Sequence, residues 1–328
     1  MRDIVQLRPE GLYCPAGGFH IDPWRPVDVA VLTHGHGDHA RSGMGRYHTS
    51  AEGLPILQWR LGDQDYRVHD YGETFTLGEA RVSLHPAGHV LGSAQVRIEA
   101  DGQVWVVSGD YKRQPDPTCT PFEVVPCDTF ISEATFALPV YRWTPTAVVA
   151  AELARWWAAN RDRGVATVVF CYALGKAQRI LAELAPFTRE TVLVHGALLG
   201  LIEAYRTAGV ELPPTAAATS ATRRDYAGAL ILAPPSAAGS PWMRRFGDHV
   251  TGFCSGWMQV RGNRRRRGYD RGFVVSDHAD WPSLLRTFRE VAPRRVLLTH
   301  GYSDAMVRYL NESGTPAAAL ATAFGGEE

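Results

Sequence analysis

Directly after an apolar run ending at Leu32, the chain reads Thr33-His34-Gly35-His36-Gly37-Asp38-His39. This places four potential metal ligands, His34, His36, Asp38 and His39, in six positions, with glycines between them that let the backbone bend around an ion. A lone histidine is more often a satisfied structural residue than a ligand; three histidines and an aspartate together at this spacing reverse that reading. The HxHxDH pattern suits two metals, because alternate histidines point one way while the Asp-His pair reaches the other. A dinuclear site needs further ligands from the ends of other strands, a bridging carboxylate among them. His89, in Pro86-Ala87-Gly88-His89-Val90-Leu91-Gly92-Ser93, and Asp110, in Ser108-Gly109-Asp110, meet that need. Ligands of these types accept Zn²⁺, Mn²⁺ or Fe²⁺, and ligand type alone does not choose among them.

The chain around this loop is long enough to carry it. At 328 residues it has room for two domains or for one domain with a large insertion, and its 45% apolar content supplies a substantial core. Short runs rich in Val, Ile and Phe predict strands at Val27–Leu32, Gln103–Ser108, Thr129–Ser132, Val165–Cys171, Thr191–Val194, Ala229–Ala233, Gly272–Ser276 and Arg295–Thr299. Thr144 followed by Pro145 predicts an N-cap and first-turn proline, opening a helix that stops near Gly164. Further helices fit a segment after Gly175, Leu198–Thr207, Trp281–Val291 and Asp304–Leu310. Strands alternating with helices from 142 to about 235 point to an α/β unit with a parallel sheet, and the N-terminal part reads as mainly β. The five cysteines, Cys14, Cys119, Cys127, Cys171 and Cys254, are odd in number and never spaced CxxC, which argues against a disulfide framework or a cysteine-rich zinc knot. No signal peptide or membrane span is legible, and the expectation is a soluble, cytoplasmic protein.

The formal net charge is zero, 34 basic against 34 acidic residues, which at first argues against a nucleic-acid binder. The charges are not evenly spread. Residues 1–141 hold 11 basic and 18 acidic side chains, residues 142–272 hold 18 and 9, and residues 273–328 hold 5 and 7. The basic middle contains Arg261, Arg264, Arg265, Arg266, Arg267 and Arg271, six arginines in eleven residues. That density suits a phosphate backbone, and a binder of this kind is nearly blind to base sequence. Lys176, after Gly175, is a further candidate for phosphate contact at a helix N-terminus. His20, His48, His69, His85, His195 and His249 fall in no motif and read as structural or solvated.

The order of the motifs resembles the metallo-β-lactamase superfamily, in which HxHxDH is followed by a later His and a bridging Asp. Ser132-Glu133-Ala134-Thr135-Phe136, Ser276-Asp277-His278-Ala279-Asp280 and Leu298-Thr299-His300-Gly301 resemble motifs A, B and C of its β-CASP nuclease branch, and Val169–Gln178 resembles the opening of the β-CASP insertion. The resemblance spans roughly residues 12–300. Within the branch, Gly11–Gly18, Ile21–Asp28 and His300-Gly301-Tyr302 look like the bacterial ligase-associated DNA exonuclease family. Asp277 departs from the small residue usual before the motif B histidine, and Tyr302 stands where many members carry an acid.

The resemblance implies an αββα metallo-β-lactamase sandwich with an inserted α/β β-CASP domain: residues 1–141 as the first part of the sandwich, 142–272 as the insertion and 273–328 as its completion. It implies that His34, His36, His89 and Asp110 hold one divalent ion, and Asp38, His39, Asp110 and His300 the other. His278 would then be the general acid, with Glu133 holding its tautomer. The activity implied is metal-dependent phosphodiester hydrolysis, with DNA ahead of RNA as substrate, by a single-strand or end-acting exonuclease of DNA repair. A DNA ligase and a helicase are the implied partners. A β-CASP ribonuclease is the alternative. A thioester or lactam hydrolase, or a non-catalytic nucleic-acid scaffold, leaves either the basic middle or the complete ligand set unexplained.

Overall fold

The structure is a computed structural model that describes residues 3–219, 222–260 and 268–322. It divides into two compact units, residues 1–141 with 278–328, and residues 142–277. The second crossing falls later than the expected 272/273. The reason is that Arg271–Phe273 still forms a ladder in the second unit's sheet, so the chain has not yet left it.

The first unit holds two sheets. One is built of β1 (Gln6–Arg8), β2 (Gly11–Cys14), β3 (Phe19–Ile21), β4 (Val29–Val31), β5 (Arg46–Ser50) and β6 (Tyr66–His69), in that spatial order. The other contains β7 (Thr74–Leu77), β8 (Ala80–Pro86), β9 (Ala94–Ala100), β10 (Gln103–Val107), β11 (Thr129–Glu133), β18 (Arg295–Thr299) and β19 (Ala317–Ala319), ordered β19-β18-β11-β10-β9-β8-β7. Their facing sides bury Leu12, Ile21 and Val31 against Val82, Val96, Trp105 and Ile131. Alternation along each strand turns the next residue to the opposite side. There Ala30, Leu32 and Tyr47 pack with Leu57 of α1 (Leu54–Leu61). Phe130, Val296 and Leu298 likewise pack with Trp281, Leu284 and Phe288 of α5 (Trp281–Val291) and with Met306 and Leu310 of α6 (Ser303–Glu312). The layering is helix, sheet, sheet, helix: the αββα sandwich.

The second unit is an α/β layer on a six-stranded parallel sheet. Its strands are β12 (Ala166–Phe170), β13 (Val192–Val194), β14 (Thr215–Ala217), β15 (Leu230–Ala233), β16 (His249–Cys254) and β17 (Arg271–Phe273), ordered β14-β13-β15-β12-β16-β17. One face packs Val169, Leu230 and Leu232 under α2 (Thr146–Arg161), α3 (Lys176–Leu184) and α4 (Gly196–Thr207). The other face is covered by 3₁₀ turns that bring Tyr226, Met243, Phe246 and Met258 over Val168, Phe170 and Ile231. α2 begins at Thr146, one residue later than a Thr144 cap requires, because Pro145 keeps an extended ψ of 135° and itself occupies the cap position. No helix among the described residues is long and apolar enough to cross a membrane.

Candidate metal centre

β8 and β10 are both antiparallel to β9, and β10, β11 and β18 run parallel. The C-terminal ends of β8, β10, β11 and β18 therefore lie along one edge of their sheet. His89 follows β8, Asp110 follows β10, Glu133 closes β11 and His300 follows β18. From the facing sheet, the loop after β4 supplies His34, His36, Asp38 and His39. Distant segments of sequence meet here because topology, not spacing, brings strand ends together.

Among the described residues, donor atoms converge in three groups, each within 4.8 Å: His34, His36, His89 and Asp110; Asp38, His39 and His300; Asp110, Glu133 and His278. His36 Nδ1 lies 3.1 Å from His34 Nε2 and 3.0 Å from His89 Nε2. Nitrogens bound at about 2.0–2.1 Å around a tetrahedral zinc are about 3.3 Å apart, so three rings this close fit one small cation. Asp110 Oδ2 lies 3.5 Å from His34 Nε2, 3.8 Å from His89 Nε2 and 3.4 Å from His39 Nε2, which places this carboxylate between the first two groups. Its other oxygen, Oδ1, is buried and makes no hydrogen bond. A buried carboxylate oxygen without a donor costs free energy unless a cation occupies that direction. The donor set, all nitrogen and carboxylate oxygen, therefore fits divalent metal; the cysteines take no part in it.

The electrostatics divide the candidate donors. Burial pushes the His34 imidazole well below its ordinary pKa, and neighbouring His39 and His89 push it further, so the ring is neutral and has a lone pair to give. Burial also carries His300 down to about 4. For Asp110, burial opposes ionisation, but His39 and His278 outweigh it and hold the carboxyl well below the usual range. His39 goes the other way: burial is overcome by Asp110 and Asp22, and its pKa rises well above the ordinary value.

Asp22 is a residue that no motif spacing singles out. Its Oδ1 accepts from Thr33 N at 2.7 Å, and its Oδ2 accepts from Thr33 Oγ1 at 2.5 Å and lies 2.8 Å from His39 Nδ1. Such a partner fixes the ring orientation of a ligating histidine. Arg60 of α1 braces the same loop by donating to the carbonyls of Gly35 and Ala40. Gly109 (φ +55) makes room for it: a Cβ there would lie 2.6 Å from Thr33 Cβ. Neither Asp22 nor Arg60 carries a signal in composition; only the Ile21–Asp28 string, matched by resemblance, contains Asp22.

His278 lies just before α5, where Asp280 caps the helix by accepting from Ser283 N. His278 Nδ1 is 2.8 Å from Glu133 Oε2, and Glu133 Oε1 accepts from Tyr111 N at 2.8 Å. Both Glu133 oxygens are thereby engaged. Nδ1 of His278 thus faces Glu133, and Nε2 is the ring nitrogen turned away from it. The His278 ring is 4.7 Å from that of His89.

The residues expected to meet nucleic acid separate into two sets. Arg261, Arg264, Arg265, Arg266 and Arg267 lie outside the described residues. Arg271 is half-buried in β17, 3.8 Å from Glu152 and over the rings of Trp156 and Phe273. Lys176 does not fit the expected phosphate contact: it is 2% exposed, with its ammonium 3.4 Å from Asp277 Oδ2. An ammonium buried on a carboxylate is already neutralised and offers no solvent-facing charge.

Over 318 residues, 94% of this chain, the sequence is 33% identical to a probable DNA ligase of Opitutus terrae. It is 28% identical over 193 residues to the endoribonuclease YSH1 of Gibberella zeae and 22% identical over 191 residues to an RNase J-like protein of Methanocaldococcus jannaschii. The chain belongs to the β-CASP branch of the metallo-β-lactamase superfamily. It spans 30% of the Opitutus protein, 23% of the Gibberella protein and 45% of the Methanocaldococcus protein. No protein-family profile matches it. A crystal structure of a protein of unknown function from Enterococcus faecalis V583 shares the fold, with a TM-score of 0.57 at 13% identity over 90% of this chain and 80% of that one.

Proposed function

We propose that this β-CASP protein is a metal-dependent nuclease that hydrolyses phosphodiester bonds in DNA, acting on single strands or ends as a cytoplasmic repair exonuclease. The observation that carries the reading is the meeting of six metal-type donors with Asp110, and the His278–Glu133 pair beside them. His34, His36, His89 and Asp110 would hold one divalent cation, and Asp38, His39 and His300, with Asp110 bridging, the other. Zn²⁺, Mn²⁺ and Fe²⁺ all suit these donors. When bound, such a pair polarises a phosphoryl oxygen and lowers the pKa of water towards neutrality. Glu133 would accept from Nδ1 of His278 and stabilise the imidazolium form of the ring, whose Nε2 proton would pass to the departing oxygen, leaving the Nδ1–H neutral imidazole. The burial of His34, His89 and His278, which are 3%, 0% and 1% exposed, would keep bulk water from the reacting groups.

The DNA reading is supported by the similarity to a probable DNA ligase, which extends over 94% of this chain and 30% of that protein. A DNA ligase and a helicase are accordingly the proposed partners. The six arginines of 261–271 carry a charge that would suit the substrate's phosphates. The test is digestion of 5′- and 3′-labelled single- and double-stranded DNA across a divalent-metal panel. Asp110→Asn is expected to abolish cleavage while leaving DNA retention largely intact; cleavage at the wild-type rate by a contamination-free variant overturns the reading. The endoribonuclease and RNase J-like relatives favour a second reading, a ribonuclease of the same branch. Matched RNA oligonucleotides digested in parallel discriminate the two.

A further inference from the structure

We infer that Tyr302 is a stacking platform for an unpaired nucleobase next to the scissile phosphate, an inference that rests on the nuclease reading above. After β18 the chain reverses through two consecutive left-handed residues, His300 (φ +60) and Gly301 (φ +56). The turn is seated on the motif A segment: a Cβ on Gly301 would lie 2.3 Å from the Ala134 carbonyl oxygen, and Tyr302 N donates to that same oxygen at 3.1 Å. Helix α6 starts at the next residue. The backbone that carries the Tyr302 ring is thus fixed on both sides, by the turn before it and the helix after it.

The ring itself is backed by other aromatic groups. Tyr302 lies 6.4 Å from Tyr141 with 25° between the planes. Tyr141 packs edge-on against Phe136 at 4.8 Å, and Phe136 edge-on against His278 at 5.9 Å. An unbroken aromatic run therefore leads from the proposed general acid to the surface. Phe136 is fully buried and Tyr141 is 2% exposed, whereas Tyr302, at the end of the run, is 43% exposed.

A core tyrosine would be covered, and a merely solvated one needs no ring behind it. A half-open ring held on a fixed backbone at the end of a buried aromatic run is what an incoming π-face requires, and it costs little entropy to use. Two residues span at most about 7 Å of chain, so the platform adjoins the ligand His300. A base stacked there belongs to the nucleotide at the reacting phosphate or its immediate neighbour. In a duplex each base is already stacked on its neighbours, so the platform selects unpaired nucleotides. It does so without reading their identity, since every base offers a π-face.

The test measures kcat/KM of the full chain on single-stranded oligonucleotides that carry either a base or an abasic sugar at the nucleotides flanking the cleaved bond. Quenching of 2-aminopurine at the same positions on binding reports stacking without catalysis. Wild-type protein is expected to lose about tenfold on the abasic substrate. Tyr302→Ala is expected to lose about tenfold on the normal substrate and nothing further on the abasic one, while Tyr302→Phe and Tyr302→Trp retain the base dependence and the quenching. Tyr302→Leu, which keeps the bulk without the π-face, repeats the measurement in a variant that preserves packing. Equal losses on both substrates would mean a structural role, and no loss on either would mean a spectator or a surface for another protein; each overturns the inference and leaves the nuclease reading standing. A wild-type chain that neither binds nor cleaves any oligonucleotide overturns both.

Discussion

At the scale of single residues, the site is organised by side chains that need not touch a substrate. Asp22 takes three polar contacts in a buried position, two from Thr33 and one from His39. Asp22→Ala leaves those groups unsatisfied, at about 1–3 kcal/mol for each buried donor. It also frees the His39 ring to turn. The expected outcome is a fall of about 10–100-fold in metal affinity or activity, together with a lower unfolding midpoint. Metal titration by calorimetry and a urea melt check the two parts separately. Asp22→Asn, which can still accept from Thr33, should lose less stability than the alanine variant. The positive φ of 44° at Asp22 suits this pair of residues, because Asn and Asp tolerate the left-handed region better than most.

At the scale of elements, function sits where strands stop. The candidate metal donors occupy loops directly after β4, β8, β10 and β18, where Gly88, Gly109 and Gly301 let the chain turn back at points where a Cβ would collide. The same sandwich has a second, separate histidine cluster on neighbouring strands. His48 of β5 and His69 of β6 share a 2.9 Å contact between Nδ1 and Nε2 and stack with Phe75 of β7. Burial lowers His48 to about 4, and His69, Arg46 and Arg67 add to the shift while Asp65 opposes it. A histidine whose pKa is lower folded than unfolded favours the folded state above about pH 6.5, its unfolded value, and that contribution is lost as pH falls through about 4. Stability should therefore decline across this window more steeply in the wild-type chain than in His48→Asn. Thermal melts between pH 7 and 4 make the comparison; parallel curves would exclude His48 as a source of acid sensitivity.

At the scale of the whole molecule, each unit has its own interior. Every described residue of the two clusters around β12–β17 lies between 149 and 275, and the remaining three clusters lie in residues 1–141 and 278–328. A unit that closes its own core can fold alone. Residues 142–277, expressed separately, are expected to unfold in one cooperative transition by circular dichroism. A broad, non-cooperative melt would show that the parallel sheet depends on the rest of the chain. The zero net charge also resolves at this scale: the change from an acidic to a basic stretch at residue 142 coincides with the boundary between the units. A single charge total conceals this, because charge acts on partners through the surface of each unit and not through the sum.

Legibility followed the strength of local patterning. Arg295–Thr299 and Trp281–Val291 stand at their expected bounds, because a buried strand and a helix with one apolar face write their period into the sequence. Strands β6 (Tyr-Arg-Val-His) and β7 (Thr-Phe-Thr-Leu) went unread: they lie at sheet edges, are largely exposed and are only four residues long, too short for their alternation to stand out. The donors around Asp110 could be listed from the sequence because ligand chemistry restricts them to a few residue types at the ends of apolar runs. What the sequence could not contain is which distant atoms face each other. That Asp22 orients His39, that Lys176 spends its charge on Asp277 inside the sheet layer, and that Tyr302 stands half-open at the end of an aromatic run depend on pairs separated by 17, 101 and 161 residues. Motif and period are local properties that the chain states directly, and they determined the metal-binding loop, the two kinds of layer and the charge division. Contacts across such separations exist only once the strands have paired, so the tertiary structure alone decided how those residues are used.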